Sequence, residues 1–216
     1  MTDELKVKLR KSAQRDLLEL SGIPRVYWDE IKLYVPDEDV EAYERLSEIK
    51  STILDISEPD IDIKNLLICS DKTGNGKTSW ALKILQYFIF KSAQSLYFND
   101  EDNSYGYFVT TSKFVSLSKE YDNQRRQKFY EMQDMIEKSR VVVFDDIAVG
   151  EYSRAEYMAL YTAIEDRILN CKFCIFTSNF VDKDSPVLID RLGARLVDRI
   201  YCTSEKIILH GDGVRH

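Results

Sequence analysis

The pattern of hydrophobic and polar positions divides the chain near Ile63. Ahead of it, leucines recur at helical spacing over residues 3–20, and a second helix is predicted near residues 38–54. Beyond it, short apolar runs alternate with helical stretches that carry one apolar stripe. Parallel strands need long crossover connections, so this alternation predicts an α/β fold with a parallel sheet.

Five apolar runs are the predicted strands, and four longer stretches between them are the predicted helices. The strands are predicted at 66–70, 107–110, 141–144, 173–177 and 206–209, and the helices at 77–92, 121–138, 153–169 and 186–199. The acidic stretch 98–105 is predicted to be a loop. The third strand is apolar at every position, which is typical of a strand covered on both faces.

A glycine-rich segment separates the first predicted strand from the helix that follows it. Strand, glycine loop and helix are the context of a phosphate-binding loop, in which backbone N–H groups and the positive helix end face a polyphosphate. In such a loop Lys77 reaches the outer phosphates, and Thr78 offers its hydroxyl to Mg²⁺. The predicted cofactor-binding residues are Thr73, Gly74, Asn75, Gly76, Lys77, Thr78 and Ser79. The first glycine of the pattern is replaced by Asp71, so both a working site and a relic stay open.

Length and composition narrow the class of protein. A chain of 216 residues with 44% hydrophobic residues is long enough for one α/β core with a short appendage. A net charge of −7 disfavours a protein that coats duplex DNA, so any nucleic-acid contact is expected to be local. No apolar stretch approaches the ~18 residues of a membrane span, and the charged N-terminus lacks a signal-like core. We therefore expect a cytoplasmic protein without a membrane partner.

The four cysteines include Cys171 and Cys174, which have the spacing of a zinc half-site. The second half of such a site is missing from the sequence. A reduced pair in or near the core is the expected state.

Two carboxylates, Asp145 and Asp146, follow directly after the third apolar run. In an open α/β sheet, ligands bind beyond the carboxyl ends of the strands. Asp145 is then placed near the Mg²⁺ held by Thr78, through water because Mg²⁺ keeps much of its hydration shell. Asp146 is placed to orient or deprotonate an attacking water. The alternative is an acidic pair that caps the next turn.

Asn179 follows the fourth predicted strand, so its amide is expected at the same edge of the sheet. There it can hydrogen-bond the attacking water or the terminal phosphate; the alternative is a helix cap or turn. Near the end of the sequence, two glycines allow a tight turn from which Arg215 reaches the phosphates. A frayed tail is the alternative for that segment.

Three arginines, Arg191, Arg195 and Arg199, recur every four residues and so are predicted to share one helix face. They fit a solvated ion-pair face with Asp190 and Asp198. They equally fit an arginine finger that is offered to the nucleotide of a neighbouring subunit.

Taken in order, these motifs resemble the AAA+ ATPases of the DnaC/DnaI helicase-loader and IstB transposition-helper group, over about residues 18–216. The resemblance rests on motifs spread along the chain. They are Gly74-Asn75-Gly76-Lys77-Thr78, Val143-Phe144-Asp145-Asp146-Ile147, Phe176-Thr177-Ser178-Asn179-Phe180, the segment 192–200, Gly211-Asp212-Gly213-Val214-Arg215 and Ser21-Gly22-Ile23-Pro24.

The resemblance implies a three-layer P-loop core of the ASCE type, with sheet order 5-1-4-3-2 and no separate C-terminal lid domain. It implies ATP and Mg²⁺, ATP hydrolysis, and self-association into a spiral or ring. It also implies two partners in DNA replication, a hexameric replicative helicase with which a primosome assembles, and single-stranded DNA.

Residue roles follow from the same resemblance. Asp145 is assigned to the metal, Asp146 is the catalytic carboxylate, and Asn179 is sensor 1. Arg215 is sensor 2, and Lys77 completes the catalytic set. Arg199 is the first choice for the finger and Arg195 the second.

The predicted domains are an N-terminal helix over 1–22, a linker over 23–62 and an ATPase domain over 63–216. Loaders usually carry a helicase-binding domain ahead of the core, and we expect the basic helix at 3–20 to take that role. The alternative is a helix that packs back on the core. Basic and aromatic groups around Arg125, Arg126, Lys128 and Phe129 suit single-strand binding, or else form a solvated face.

The leading functional hypothesis is an ATP-dependent loader of a replicative helicase, in a version from a phage, plasmid or mobile element. An IstB-like transposition helper is the second hypothesis. A weakly hydrolysing nucleotide-binding scaffold or helicase antagonist is the third, and Asp71 favours it. The first two are favoured by the intact residues Lys77, Thr78, Asp145, Asp146 and Asn179.

Overall fold

A five-stranded parallel sheet is the centre of the molecule. The computed structural model describes residues 3–53, 64–95, 106–119 and 122–212. Its strands are β1 Asn65–Cys69, β2 Gly106–Thr110, β3 Val141–Ile147, β4 Phe173–Ser178 and β5 Ser204–Ile208. They lie in the order β2-β3-β4-β1-β5, and every described pair is parallel. Read from the other edge this order is 5-1-4-3-2, so the predicted topology is confirmed.

Seven α-helices accompany the sheet in the described ranges. They are α1 Asp3–Leu20, α2 Val40–Thr52, α3 Lys77–Ser95, α4 Thr111–Ser118, α5 Asn123–Lys138, α6 Arg154–Leu169 and α7 Pro186–Thr203. All were predicted except α4, which has eight residues and starts directly where β2 ends. None of these helices has an apolar stretch long enough to cross a lipid bilayer. The predicted loop at 98–105 lies outside the described residues.

Two apolar layers cover the two faces of the sheet, because successive strand residues point to opposite faces. In β1, Leu66 and Ile68 face a layer formed with helices α1, α2 and α3. Leu67 and Cys69 face the opposite layer, formed with α4 to α7. This is a three-layer α/β arrangement, and it leaves the carboxyl ends of the strands free to hold a site.

Helix α1 is divided between core and solvent. Its C-terminal half packs against α3, where Leu17 and Leu18 are buried. Lys8, Lys11 and Arg15 are exposed along the rest of the described helix. The helix thus both packs on the core and presents a basic surface, and its role in partner binding stays a prediction.

Candidate functional site

The glycine loop joins the end of β1 to the start of α3. Gly74 and Gly76 have φ values of 78° and 97°, in the left-handed region that glycine adopts without a steric penalty. Among the non-glycine residues described, positive φ is found only at Asp146, Ala148 and Cys171. Asp71 is exposed and has no such strain. The replaced glycine position therefore imposes no backbone cost on the loop.

Lys77 is buried in the hollow of this loop. Its Nζ donates to the backbone oxygen of Lys72 at 2.7 Å and to Asn75 Oδ1 at 3.2 Å. Burial lowers the pKa of the Lys77 ammonium, and the nearby charge of Asp146 works against that shift. The ammonium group thus occupies the position where a phosphate-binding loop receives its ligand.

Asn75 braces the loop against the sheet. Its Nδ2 donates to Ser70 Oγ at 2.5 Å and to the backbone oxygen of Leu209 at 3.2 Å. Ser70 follows β1, and Leu209 follows β5. The loop is therefore fixed by both strands beside it.

Asp145 connects the loop to β4 through one carboxylate oxygen. Its Oδ1 accepts hydrogen bonds from Thr78 Oγ1 at 2.8 Å and from Thr177 Oγ1 at 2.7 Å. Asp145 is only 6% exposed, and burial raises the pKa of its carboxyl while the two hydroxyl donors oppose that rise. Thr177 was not among the predicted site residues, although a polar residue ending an apolar strand was a usable signal.

An irregularity in β3 brings Asp145 and Asp146 to the same site. Adjacent strand residues ordinarily point to opposite faces. Here the register with β4 shifts between Phe144 and Ile147, and Asp146 has a φ of 54°. The backbone nitrogen of Asp146 donates to Thr177 Oγ1 at 2.8 Å, which holds this conformation. Strained backbone of this kind is concentrated at functional sites.

One cavity of about 680 Å³ collects the predicted residues at the carboxyl edge of the sheet. It is lined by Tyr27, Thr73, Gly74, Asn75, Gly76, Lys77, Thr78, Ser79, Asp145, Asp146 and Asn179. All seven predicted loop residues are present, together with both carboxylates and the amide. Tyr27, from the predicted linker, was missed because no local pattern marks it.

The segment before the core also contacts the loop. A smaller cavity of about 110 Å³ lies between the glycine loop and the residues Lys32, Leu33, Tyr34, Pro36 and Tyr43. Asp39 is fully buried and accepts hydrogen bonds from the backbone nitrogens of His210 and Gly211. The predicted linker is therefore part of the site's wall.

The three arginines of α7 do not share one face as predicted. Gly193, with a φ of 70° and a ψ of 142°, interrupts the helix between Arg191 and Arg195. Arg191 donates to the backbone oxygen of Ala148 at 2.8 Å. Arg195 and Arg199 instead approach Glu165, a partner on α6 that the sequence pattern did not indicate.

The candidate finger residues Arg195 and Arg199 do not line this cavity. Arg215 lies outside the described residues, so its assignment as sensor 2 stays a prediction. Cys171 is exposed, Cys174 is buried, and both are free thiols. The described part of the chain holds no cluster of three or more His, Cys, Asp or Glu side chains that suits a metal.

The donor set around Thr78 does fit Mg²⁺ in the manner of nucleotide sites. Mg²⁺ prefers oxygen ligands and is usually held by one or two carboxylates together with substrate phosphates. The hydroxyl of Thr78 and the carboxylate of Asp145 are such oxygen donors, 2.8 Å apart. Between the glycine loop and the strand ends, the site has the parts that bind a polyphosphate.

Fold and site together define the P-loop α/β fold of AAA+ proteins. No protein-family model matches the sequence, and no curated protein matches it significantly. Among solved structures, the chain is similar to the DnaC helicase loader, with a TM-score of 0.60, 23% identity and coverage of 87% of this chain and 100% of that one. DnaI gives a TM-score of 0.62 at 19% identity, covering 87% of this chain and 95% of that one.

A third similar structure is the replication initiator DnaA bound to AMPPCP and single-stranded DNA. Its TM-score is 0.57 at 15% identity, with coverage of 82% of this chain and 48% of that one. At these identities the likeness establishes the fold. The resemblance to the DnaC/DnaI group is confirmed at that level.

Proposed function

We propose that this protein is an ATP-dependent loader of a replicative DNA helicase that binds and hydrolyses ATP where subunits meet. The observation that carries the proposal is the convergence of the glycine loop, Asp145, Asp146 and Asn179 on one cavity. Each supplies a different part of a triphosphate-hydrolysing site. The likeness to the DnaC loader over 100% of that chain supports the choice of function within the fold.

Each side chain has a separate task in the proposed site. Lys77 exchanges its contacts with Lys72 and Asn75 for the outer phosphates of ATP. Thr78 and Asp145 would hold Mg²⁺, which supplies charge neutralisation between the phosphates when bound. Asp146 orients the attacking water and accepts its proton, and Asn179 hydrogen-bonds the water or the terminal phosphate.

The remaining catalytic group comes from a second subunit in this proposal. Arg195 and Arg199 are partly exposed on α7 and do not line the cavity of their own chain. An arginine that stabilises transition-state charge in trans must be displayed outward in this way. Assembly into a spiral or ring would bring it to the neighbour's nucleotide.

The proposed partners are a hexameric helicase and single-stranded DNA. The exposed basic side chains of α1, Lys8, Lys11 and Arg15, are the proposed helicase contact. The similar structures include a helicase loader and a DnaA bound to single-stranded DNA, which supports both partners. In this chain the single-strand contact is assigned to α5, around Arg125 and Arg126.

Capture of a purified hexameric helicase by the full chain tests the loader function. We expect capture with ATP present, and loss of capture when Lys8, Lys11 and Arg15 are replaced together by Ser. Replacing the exposed lysines Lys64, Lys113 and Lys183 together by Ser is a charge-matched control elsewhere on the surface. Capture of a transposase instead of a helicase would favour the transposition-helper function.

Single-strand binding tests the second partner. Replacing Arg125 and Arg126 together should weaken binding and reduce its dependence on salt concentration, because fewer counterions are released. An unchanged salt slope would reject their involvement. The same titration with duplex DNA is the control for general electrostatic attraction.

A further inference from the structure

A buried carboxylate lies beneath the two candidate finger arginines. Glu165 projects from α6, and its side chain is 9% exposed. Its Oε1 is 3.3 Å from Arg195 Nη2 and 3.6 Å from Arg199 Nη2. One carboxylate oxygen therefore serves two guanidinium groups from successive turns of α7.

The two arginines are held unequally. Arg195 donates a hydrogen bond to Glu165, and its guanidinium carbon lies 5.6 Å from the centre of the Tyr161 ring. A cation over an aromatic ring gains further stabilisation from the ring electrons. Arg199 makes the longer approach to Glu165, outside hydrogen-bond distance. Both side chains reach the surface, since that of Arg195 is 69% exposed and that of Arg199 is 41% exposed.

We infer that Glu165 is a positioning residue for the arginine finger, with Arg195 as its fixed partner and Arg199 as the group that extends to a neighbouring subunit's nucleotide. The inference rests on the proposed ATPase function. A folded protein is strongly destabilised when a buried carboxylate loses its only cationic partner. Because Arg195 remains paired with Glu165, Arg199 can move away without leaving Glu165 as an unpaired buried charge.

The arrangement also explains why two arginines stand where one finger is needed. With Arg199 alone, its release would strand the buried charge of Glu165. With Arg195 alone, the hydrogen bond and the Tyr161 ring would hold the finger on its own subunit. The pair separates the holding task from the catalytic task.

Steady-state ATP hydrolysis by the assembled protein, with conservative variants, tests this division. Arg199→Lys should lower kcat by about a hundredfold or more, since an ammonium does not replace the planar guanidinium at the phosphate. Arg195→Lys keeps a positive charge beside Glu165, so its kcat should stay within about threefold of the wild-type value. Glu165→Gln should lower kcat about tenfold with an unchanged KM for ATP, because positioning acts on the chemical step.

Asp166→Asn, on the exposed neighbour of Glu165 in the same helix, is the matched control and should leave kcat unchanged. The inference is overturned if Arg195→Lys is as damaging as Arg199→Lys. It is also overturned if Glu165→Gln behaves like Asp166→Asn.

Mixed assemblies test the transfer between subunits. Lys77→Ala subunits lack a working nucleotide site but carry Arg199, whereas Arg199→Ala subunits have the site without the finger. Mixing these two kinds of subunit should restore hydrolysis. Mixing Arg199→Ala subunits with subunits of the Lys77→Ala, Arg199→Ala double variant should not restore it. Equal activity in the two mixtures would overturn the role of Arg199 in trans.

Melting temperature supplies a readout that does not depend on hydrolysis. Arg195→Ala should lower it by about 2–4 °C, and Arg199→Ala should lower it less, because Arg195 is the better-held partner. Equal decreases in melting temperature for the two variants would contradict the inference that Glu165 holds Arg195 more firmly than Arg199. If the wild type hydrolyses no ATP, the proposed function fails, while this comparison still decides how Glu165 is paired.

Discussion

Asp39 gives a prediction whose size can be worked from the contacts. It precedes α2, where an aspartate often caps the helix, but its side chain makes no cap hydrogen bond. Instead its Oδ1 is 2.6 Å from the backbone nitrogen of His210, and its Oδ2 is 2.9 Å from that of Gly211. The side chain is fully buried. Both oxygens are thus used to hold the segment that follows β5.

Asp39→Asn keeps one acceptor oxygen and turns an NH₂ group toward the second donor. A hydrogen bond to a charged group contributes about 1.5–3 kcal/mol, and an unpaired buried donor costs about 1–3 kcal/mol. We expect the free energy of unfolding to fall by about 2–4 kcal/mol. That is a large part of the ~5–15 kcal/mol of an ordinary domain.

Urea unfolding followed by circular dichroism measures this change. Glu38→Gln is the matched control, since Glu38 is the exposed neighbour of Asp39. Hydrogen exchange at the amides of His210 and Gly211 should accelerate in Asp39→Asn and stay unchanged in the control. An unfolding free energy within about 0.5 kcal/mol of the control would refute the reasoning.

Three further predictions concern the site and the kink. Burial raises the pKa of Asp145 in the folded state, so its stabilising contribution is present at low pH and is lost as pH rises through the folded pKa. Asp145→Asn should therefore leave the melting temperature at neutral pH unchanged or higher without ligand, while removing the rise that Mg²⁺ and ATP produce; a large loss without ligand would contradict this. Asp71→Gly should change ATP affinity by less than about threefold in a fluorescent-nucleotide titration, because Asp71 carries no left-handed strain; a tenfold gain would show that the replacement impairs the site. Gly193→Ala should cost about 1–3 kcal/mol in urea unfolding, since its φ is 70° and a Cβ would lie 3.0 Å from Tyr157 Oη; an unchanged midpoint would contradict the kink.

The sheet could be predicted because its strands are apolar runs that are bounded by polar residues. Strand β1 is buried throughout and β3 at every position except Asp146, and both stand out in the sequence without any partner being known. Helix α4 was missed, since it begins where β2 ends and leaves no turn to mark the boundary. The element that sequence reasoning missed is thus a short helix without a marked start.

Residue types and their positions at strand ends predicted which side chains belong to the site, but not how those side chains are paired. That Asp145 and Asp146 share one cavity depends on the register shift in β3 and on the Thr177 hydroxyl, 31 positions from Asp146. The partner of Arg195 is 30 positions away, and that of Asp39 is 171 positions away. A pattern read along the chain contains no information on such pairings, which arise from packing.

The arginine helix shows how a local rule fails for a physical reason. Spacing of four residues places Arg191, Arg195 and Arg199 on one face of an uninterrupted helix. Gly193 adopts a non-helical conformation, so Arg191 reaches Ala148 while the other two reach Glu165. One glycine therefore separates residues with different roles.

Mg²⁺-dependent ATP hydrolysis by purified full chain tests the central claim most directly, since that claim places the glycine loop and the strand-end carboxylates in one working site. Phosphate release should be measured for the wild type, Lys77→Ala and Asp146→Asn, with ATP binding measured in parallel. We predict hydrolysis by the wild type, loss of ATP binding in Lys77→Ala, and retained binding without hydrolysis in Asp146→Asn. Binding of ATP without hydrolysis by the wild type, or hydrolysis that survives both substitutions, would contradict the account.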